Sequence, residues 1–267
     1  MPIIADPSLP LTAWSSAGVD LIDPVRAARQ DPGPLRLLVL HLGAQPLETQ
    51  SHLLGLLGST ALQLDIVLVQ PDAVMTGILR APPGDGIFHG AVLVADGDRG
   101  QIGDRAASDL SEAIGWIRSR NLPALLIGAA ANLALPAGIL RAGEPVAEIV
   151  PHALVQPGHA LLRDLDGQLD LPVIRREQMS LQTVSGSGLE PLISATASGV
   201  HLAFDPRRRW LFALDHIERG VEATARALRR CGSRSRPRTG PWRTYAQILV
   251  SRWLHAVVHP LASFPDP

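Results

Sequence analysis

Short apolar runs alternate with longer amphipathic stretches through the first half of the chain. The runs are rich in Val, Ile and Leu and too short for helices, as is typical of buried parallel strands, and they cover residues 35–40, 66–69, 91–94 and 124–127. The stretches carry apolar residues near helical spacing, and they cover residues 47–57, 108–120 and 129–135. This alternation predicts an α/β fold whose parallel sheet has helices on both faces.

The second half of the chain departs from that alternation. Shorter apolar runs predict strands that are partly antiparallel, at residues 147–150, 169–174 and 192–196. A further run predicts a strand that returns to the main sheet at residues 210–214. Helical spacing then predicts the last two helices, at residues 217–230 and 245–258.

These elements and the composition between them divide the chain into four parts. An irregular N-terminal arm rich in Pro, Ser and Asp covers residues 1–33, and the α/β domain covers residues 34–230, with a Pro- and Gly-containing loop at 71–87. An Arg-, Pro- and Gly-rich loop covers residues 231–240, and residues 241–267 hold a C-terminal helix that we expect to pack on the same domain.

Composition narrows the classes of protein and of partner. The 267 residues are 46% hydrophobic and 18% charged, which is typical of a packed globular domain, and the net charge of −1 predicts neither a nucleic-acid nor a membrane partner. Cys231 is the sole cysteine, so no intramolecular disulfide can form. With no signal peptide or spanning segment visible, we expect a cytoplasmic protein.

The chemistry of such a sheet is expected at the carboxyl ends of its strands. The strand that ends at Ile127 turns at once into a helix rich in alanine, a layout typical of a nucleophile elbow. The residue at the apex is Gly128, which has no side chain to attack a substrate but tolerates the strained backbone of an elbow.

A second loop follows the strand that ends at Leu214. His216 at the end of a strand is suited to general-base catalysis, and Glu218 two residues later is suited to fixing its tautomer. From spacing alone the favoured alternative is an ordinary polar helix start that is capped by Asp215. His255 and His259 have a spacing that metal ligands use, but no third ligand is evident, so we expect no metal site there.

Colinear motifs extend over nearly the whole chain, and together they resemble the homoserine O-succinyltransferase family. They are Met1-Pro2-Ile3, Leu9-Pro10, the strand at 34–42, Leu47-Glu48-Thr49, Leu62-Gln63-Leu64-Asp65-Ile66, Phe88-His89-Gly90, and Trp242-Arg243 followed after nine residues by Trp253-Leu254. Each motif is weak alone, and their common order carries the resemblance.

The resemblance implies a class I glutamine amidotransferase-like, flavodoxin-like fold and a role in methionine biosynthesis. The family moves an acyl group from acyl-CoA, its co-substrate, to a cysteine and then to the hydroxyl of homoserine, with no bound cofactor. Its histidine and companion glutamate match His216 and Glu218. Its carboxylate-holding arginine matches Arg230, and the arginine of its Pro-x-x-Arg segment matches Arg175. The family also implies a homodimer.

The departures from the family pattern fall on the chemistry. Gly128 stands where the catalytic cysteine is expected, and Pro145 stands near the position of the active-site lysine. The oxyanion turn is replaced by Val94-Ala95-Asp96-Gly97 and the first-loop segment by Gly43-Ala44-Gln45-Pro46. Because Cys231 lies beyond the preceding helix in a linker-like stretch, we expect it not to replace the nucleophile.

Three functions are compatible with this sequence. The first is a repurposed relative that binds an amino acid or acyl-CoA, or regulates a partner, without cysteine catalysis. The second is an active O-acyltransferase in which His216 activates a homoserine or serine hydroxyl for direct attack on an acetyl or succinyl thioester. The third is a non-catalytic subunit of a hetero-oligomer.

Overall fold

The structure is a computed structural model that describes residues 3–4, 11–16, 21–22, 34–42, 46–69, 88–96, 103–165, 167–237 and 240–260. The loop predicted at 71–87, the first-loop residues Gly43 to Gln45, Gly97, most of the N-terminal arm and the last seven residues lie outside the described residues. The division into four parts proposed from the sequence therefore stays a prediction.

The described residues form one mixed sheet of eleven strands with helices packed on it. The strands are β1 (Ile3–Ile4), β2 (Leu21–Ile22), β3 (Leu35–Leu42), β4 (Leu64–Val69), β5 (Gly90–Ala95), β6 (Ala124–Gly128), β7 (Leu140–Leu154), β8 (Gln168–Met179), β9 (Glu190–Ala195), β10 (Gly199–Asp205) and β11 (Trp210–Ala213). The helices are α1 (Leu11–Ser16), α2 (Pro46–Leu57), α3 (Asp104–Ser119), α4 (Ala129–Ala134), α5 (Leu181–Gly186), α6 (Val221–Arg230) and α7 (Pro241–Trp253), with a 3₁₀ turn at Ala160–Leu162 and a π-helical turn at Leu254–Val258.

The strand order confirms the fold predicted from the apolar runs. The order is β2-β1-β4-β3-β5-β6-β11-β10-β8-β7-β9. The first seven strands of this order, from β2 through β6 to β11, all pair in parallel with their neighbours. The pairing of β11 with β6 is the one predicted for a strand that returns to the main sheet. Antiparallel pairs β10–β11, β10–β9, β7–β8 and β7–β9 form the extension.

The core has two main layers because successive residues of a strand point to opposite faces of the sheet. In β3, Leu37 and Val39 pack in the layer that holds α2 and α7, whereas Leu38 and Leu40 pack in the layer that holds α3 and α4. The central parallel strands are buried on both faces, which explains why their sequences are continuous apolar runs rather than alternating ones.

Several element boundaries differ from the sequence-based prediction. The helix predicted at 217–230 begins only at Val221, so its predicted start was wrong; the residues before it form tight turns in which the Ile217 amide donates to Asp215. Strand β10 and helix α5 were missed, and β7 is far longer than the predicted run at 147–150. Much of β7 is exposed, so it lacks the continuous apolar signal by which buried strands are recognised.

The two ends of the chain contribute to the main body of the structure. Part of the arm predicted as irregular is regular: β1 pairs with β4, and Trp14 of α1 is buried in the core layer that also holds α2. Helix α7 begins four residues earlier than predicted, with Pro241 in its first turn, where a missing N–H costs nothing. No helix in the described ranges is long and apolar enough to cross a membrane.

Candidate active site

The turn from β6 into α4 has the backbone geometry that an elbow requires. Gly128 has φ +64° and ψ −129°, a conformation that residues with side chains rarely adopt. A Cβ atom built there would lie 2.6 Å from the Ala95 carbonyl oxygen and 2.9 Å from Nε2 of His216. The imidazole therefore faces the space that a nucleophile's side chain would occupy, but the Ala95 backbone and the ring both lie too close to leave room for a Cβ atom.

His216 and Glu218 form a hydrogen-bonded pair, the arrangement that the family resemblance implied, whereas spacing alone had favoured an ordinary helix start. His216 Nδ1 donates to Glu218 Oε1 at 2.7 Å, and the Glu218 side chain is fully buried. Burial alone would raise the pKa of Glu218, but the imidazole and its hydrogen bond outweigh that effect and hold the pKa below its usual range. The carboxylate thus stays ionised and fixes the ring with its hydrogen on Nδ1.

A second carboxylate faces the other nitrogen of the ring. Asp96 Oδ1 lies 3.5 Å from His216 Nε2 and accepts a 2.6 Å hydrogen bond from Arg219. Burial would raise the pKa of Asp96, but His216 and Arg219 together lower it. The Asp96 amide donates to the Leu42 carbonyl at 2.9 Å. The segment that replaces the oxyanion turn therefore presents a carboxylate, and its Asp96 N–H is already hydrogen-bonded and not free to stabilise an oxyanion.

Asp215 belongs to a buried polar network behind the imidazole and does not cap a helix. It accepts from the Ile174 amide at 3.0 Å and from His201 Nδ1 at 3.0 Å, and it pairs with Arg175 at 3.0 Å. Arg175 also donates to the Ser198 carbonyl at 2.8 Å. Burial would raise the pKa of Asp215, but Arg175 and His201 reverse that effect and lower it strongly.

The network continues through a second buried histidine. His152 Nδ1 donates to the Val150 carbonyl at 2.8 Å, so its Nε2 accepts from the Ser198 hydroxyl at 3.3 Å. Its ring packs edge-on against His201 with centroids 5.1 Å apart. Burial first, and then the neighbouring His201, lower the pKa of His152 to about 4. This neutral histidine therefore supports the elements that carry the Asp215–Glu218 loop.

A cavity of about 480 Å³ opens beside the imidazole, and it brings together four residues singled out in the sequence. Its lining includes Gly128, His216, Arg175 and Arg230. Glu218 lies behind His216 and is not part of that lining. The role of each residue stays a prediction, but Arg175 already has a buried carboxylate partner, so it is less free to hold a substrate than the family pattern implied.

Several cavity residues were missed by the sequence analysis. Arg176 and Arg219 both line the cavity. The sequence pattern along β8 gave no reason to single out Arg176. Cys231 follows the last residue of α6 and also lines the cavity, which the sequence analysis did not foresee; that it does not replace the nucleophile stays a prediction. Within the described ranges His216 has no hydrogen bond to a thiol or hydroxyl, and no group of three metal-ligating side chains occurs.

Comparison with characterised proteins reveals relatives over nearly the full length. The chain is 26% identical to homoserine O-acetyltransferases of Rhizorhabdus wittichii and Novosphingobium aromaticivorans and 25% identical to that of Brucella canis. Each alignment covers 96% of this chain, and it covers 91% of the first relative and 95% of the other two. The chain is thus similar over nearly its full length to homoserine O-acyltransferases. The relatives carry the acetyltransferase name, whereas the sequence resemblance was drawn to succinyltransferases, and the resemblance to the acyltransferase family common to both is confirmed.

Solved structures agree with the fold that the family resemblance implies. A glutamine amidotransferase from Thermotoga maritima aligns with a TM-score of 0.60 at 12% identity, over 84% of this chain and 98% of that one. A glutamine amidotransferase from Methylobacillus flagellatus aligns with a TM-score of 0.54 at 13% identity, over 84% of this chain and 95% of that one. The class I glutamine amidotransferase-like fold is thus confirmed. No family model matches the chain.

Proposed function

We propose that this homoserine O-acyltransferase relative binds an anionic ligand in its arginine-lined cavity and does not carry an acyl group on a cysteine. One observation supports the proposal above all others: the position expected for the nucleophile is a glycine whose missing Cβ would lie 2.6 Å from a backbone oxygen. A covalent route needs a side chain at that point, and its removal lowers rates by several orders of magnitude.

The surroundings of Gly128 also oppose covalent acyl transfer. An oxyanion site stabilises developing negative charge with free donors, but Asp96 places a carboxylate here and its amide is bonded to Leu42. Pro145, which stands near the expected lysine, lines the cavity without offering a charge. The ligand classes that the family suggests are an amino acid, whose carboxylate Arg230 would hold, and acyl-CoA. The homodimer and cytoplasmic location inferred from the sequence stay predictions.

Direct acyl transfer is the second candidate, and the 2.7 Å contact between His216 and Glu218 favours it. A histidine fixed in one tautomer by a buried carboxylate is suited to remove a proton from a homoserine or serine hydroxyl. The lone pair that would accept this proton lies on Nε2. Against this candidate, the Asp96 oxygen lies 3.5 Å from Nε2 and would have to move away before a substrate hydroxyl could reach it. We therefore rank direct transfer below non-covalent binding.

A thiol-release assay separates the two candidates. The full chain is incubated with homoserine or serine and with acetyl-CoA or succinyl-CoA, and free CoA is measured over time. The proposal predicts no release above background and saturable binding of at least one anionic substrate by calorimetry. Turnover that disappears in His216→Ala but persists in His255→Ala, an exposed histidine on the last helix, would replace the proposal with direct transfer.

Intact-mass measurement tests the covalent part independently of turnover. After incubation with either acyl-CoA, we expect the mass of the chain to stay unchanged. An acyl adduct would contradict the proposal, and because Cys231 is the sole thiol, Cys231→Ser would show whether it carries the adduct.

A further inference from the structure

The cavity beside His216 carries an unusual amount of positive charge for a chain whose net charge is −1. Four guanidinium groups line it, from β8, from the loop after β11 and from the end of α6: Arg175, Arg176, Arg219 and Arg230. Among the residues that the structure describes, the lining contains no aspartate or glutamate. Charge of one sign focused in a cleft concentrates ligands of the opposite sign.

Two of these arginines are already neutralised by carboxylates at the margin of the cavity. Arg175 pairs with Asp215 at 3.0 Å, and Arg219 pairs with Asp96 at 2.6 Å. A ligand acid would have to compete with a protein carboxylate for either of them. These two arginines therefore contribute little to the charge that remains for a ligand.

The other two arginines are available. Within the described ranges, neither Arg176 nor Arg230 has a hydrogen bond or an ion pair with another residue, and both are exposed. The cavity thus offers two unpaired positive charges.

We propose, building on the non-covalent binding function above, that the ligand is a small acid with two negative charges, and that Arg176 and Arg230 together hold it. A zwitterionic amino acid supplies one of these charges and adds an ammonium group, for which the described part of the lining holds no carboxylate. The wall also includes Val146, Ile174 and Leu214, whose hydrocarbon suits a short aliphatic chain between or beside the charges. Arg176 is the specificity-determining residue in this arrangement.

Calorimetry on the full chain at low ionic strength tests the proposal with matched acids. Succinate carries one charge at each end of four carbons, butyrate carries one charge on the same chain, and propyl phosphate carries both charges on one group. We expect succinate or propyl phosphate to bind about tenfold or more tightly than butyrate, because the second negative charge forms a charge-assisted hydrogen bond with the second arginine. The better of the two dianions shows whether the charges are separated.

Variants assign the effect to Arg176. Arg176→Gln is expected to weaken the preferred dianion about tenfold and butyrate by less than about threefold, so that the preference largely disappears. Arg163→Gln, an exposed arginine outside the cavity lining, is the matched control and should change neither affinity. Because exposed charges are screened by salt, the dianion preference should also shrink at high ionic strength.

The possible results distinguish this inference from the function on which it rests. Equal affinities for succinate, propyl phosphate and butyrate, or an unchanged preference in Arg176→Gln, overturn the inference. Homoserine binding more tightly than both dianions also overturns it, yet supports non-covalent binding at this site. If homoserine, both acyl-CoA substrates and all three acids fail to bind, the inference and the binding half of the proposed function both fail, while the mass measurement still tests the covalent half.

Discussion

The loop after β11 has two sides that differ in how completely their polar groups are satisfied. On the inner side, Asp215 receives an amide, an imidazole and a guanidinium, each at 3.0 Å. On the cavity side, His216 has Glu218 firmly at one nitrogen but only Asp96 at 3.5 Å from the other, beside the empty Cβ position of Gly128. The Asp215 carboxylate is thus well paired, whereas the reacting end of the site is altered.

This difference shows why a well-formed histidine–glutamate pair is insufficient to establish catalysis. A buried charge such as Asp215 must be paired or the fold loses stability, so the inner network is needed whatever the cavity does. That network also fixes the backbone that carries His216 and Glu218. Geometry at these two residues can therefore persist for structural reasons after the chemistry at residue 128 has changed.

The largest effect is expected from breaking the inner side. Asp215→Ala leaves Arg175 buried without its carboxylate, and such a loss typically costs about 3–5 kcal/mol. Chemical denaturation should show that decrease in the free energy of unfolding. The control Asp170→Ala removes an exposed carboxylate from β8 and should change stability by less than about 0.5 kcal/mol. Similar small effects of both variants would remove the contrast between the two sides.

Adding a side chain at residue 128 should destabilise the fold. Gly128→Ala forces a Cβ against the Ala95 carbonyl in a left-handed conformation, and we expect a loss of about 2–4 kcal/mol by denaturation. Gly138→Ala is the matched control: its φ of +83° is similarly unfavourable, but a Cβ there meets nothing within 4 Å, so about 1 kcal/mol is expected. Equal losses would mean that the space at residue 128 is not closed.

Acid should weaken the inner network through His152. Its pKa of about 4 in the folded chain lies below the unfolded value of about 6.5, so its contribution is fully present above pH 6.5 and is lost as the pH falls towards 4. We expect His152 alone to account for roughly 2–3 kcal/mol of the decrease in the free energy of unfolding between pH 6.5 and 4. Burial likewise lowers the pKa of His41, His52 and His89, which add to the slope.

His152→Gln separates this contribution from the others. The free energy of unfolding should be lower at pH 7 in the variant, but it should depend less on pH between 6.5 and 4 than in the unmodified chain. Denaturation curves across that range provide the measurement. Parallel curves would show that His152 does not carry the acid sensitivity.

The smallest effect should come from the ion pair at the cavity margin. Arg219→Gln removes the partner that, together with His216, lowers the pKa of Asp96, so this pKa should rise. Because both side chains are partly exposed, we expect a loss of only about 1 kcal/mol. Carboxyl chemical shifts followed through a titration would report the pKa, and a fall in that value would contradict the assignment.

Sequence predicted the parallel half of the fold well because its physical signal is local. Strands buried on both faces must be continuously apolar, and 35–40, 91–94 and 124–127 are read directly from that requirement. Of the long hairpin of β7 and β8, only the segments 147–150 and 169–174 were predicted, because much of β7 is exposed. Its strands are recognised through their pairing with each other, which is not visible in either segment alone.

The site divides in the same way. The spacing of His216 and Glu218 within one loop allowed their contact and the family resemblance implied it, whereas contacts between distant segments were not predictable. Asp215 meets Arg175 and His201 only because β8 and β10 lie next to each other in the sheet. The end of α6 at Arg230 was predicted, but that Cys231 just beyond it faces the cavity was not, because the linker-like composition gives no direction for its side chain.

That position of Cys231 makes the cavity directly observable. A chain with one thiol, exposed and on the cavity wall, can be labelled at a single known point without any substitution. A fluorophore or spin label there would report the arrival of an acid by a change in signal, and protection of the thiol from a maleimide would report occupancy by rate. Cys231 thus provides a reporter of ligand binding in the cavity, whether or not it takes part in any reaction.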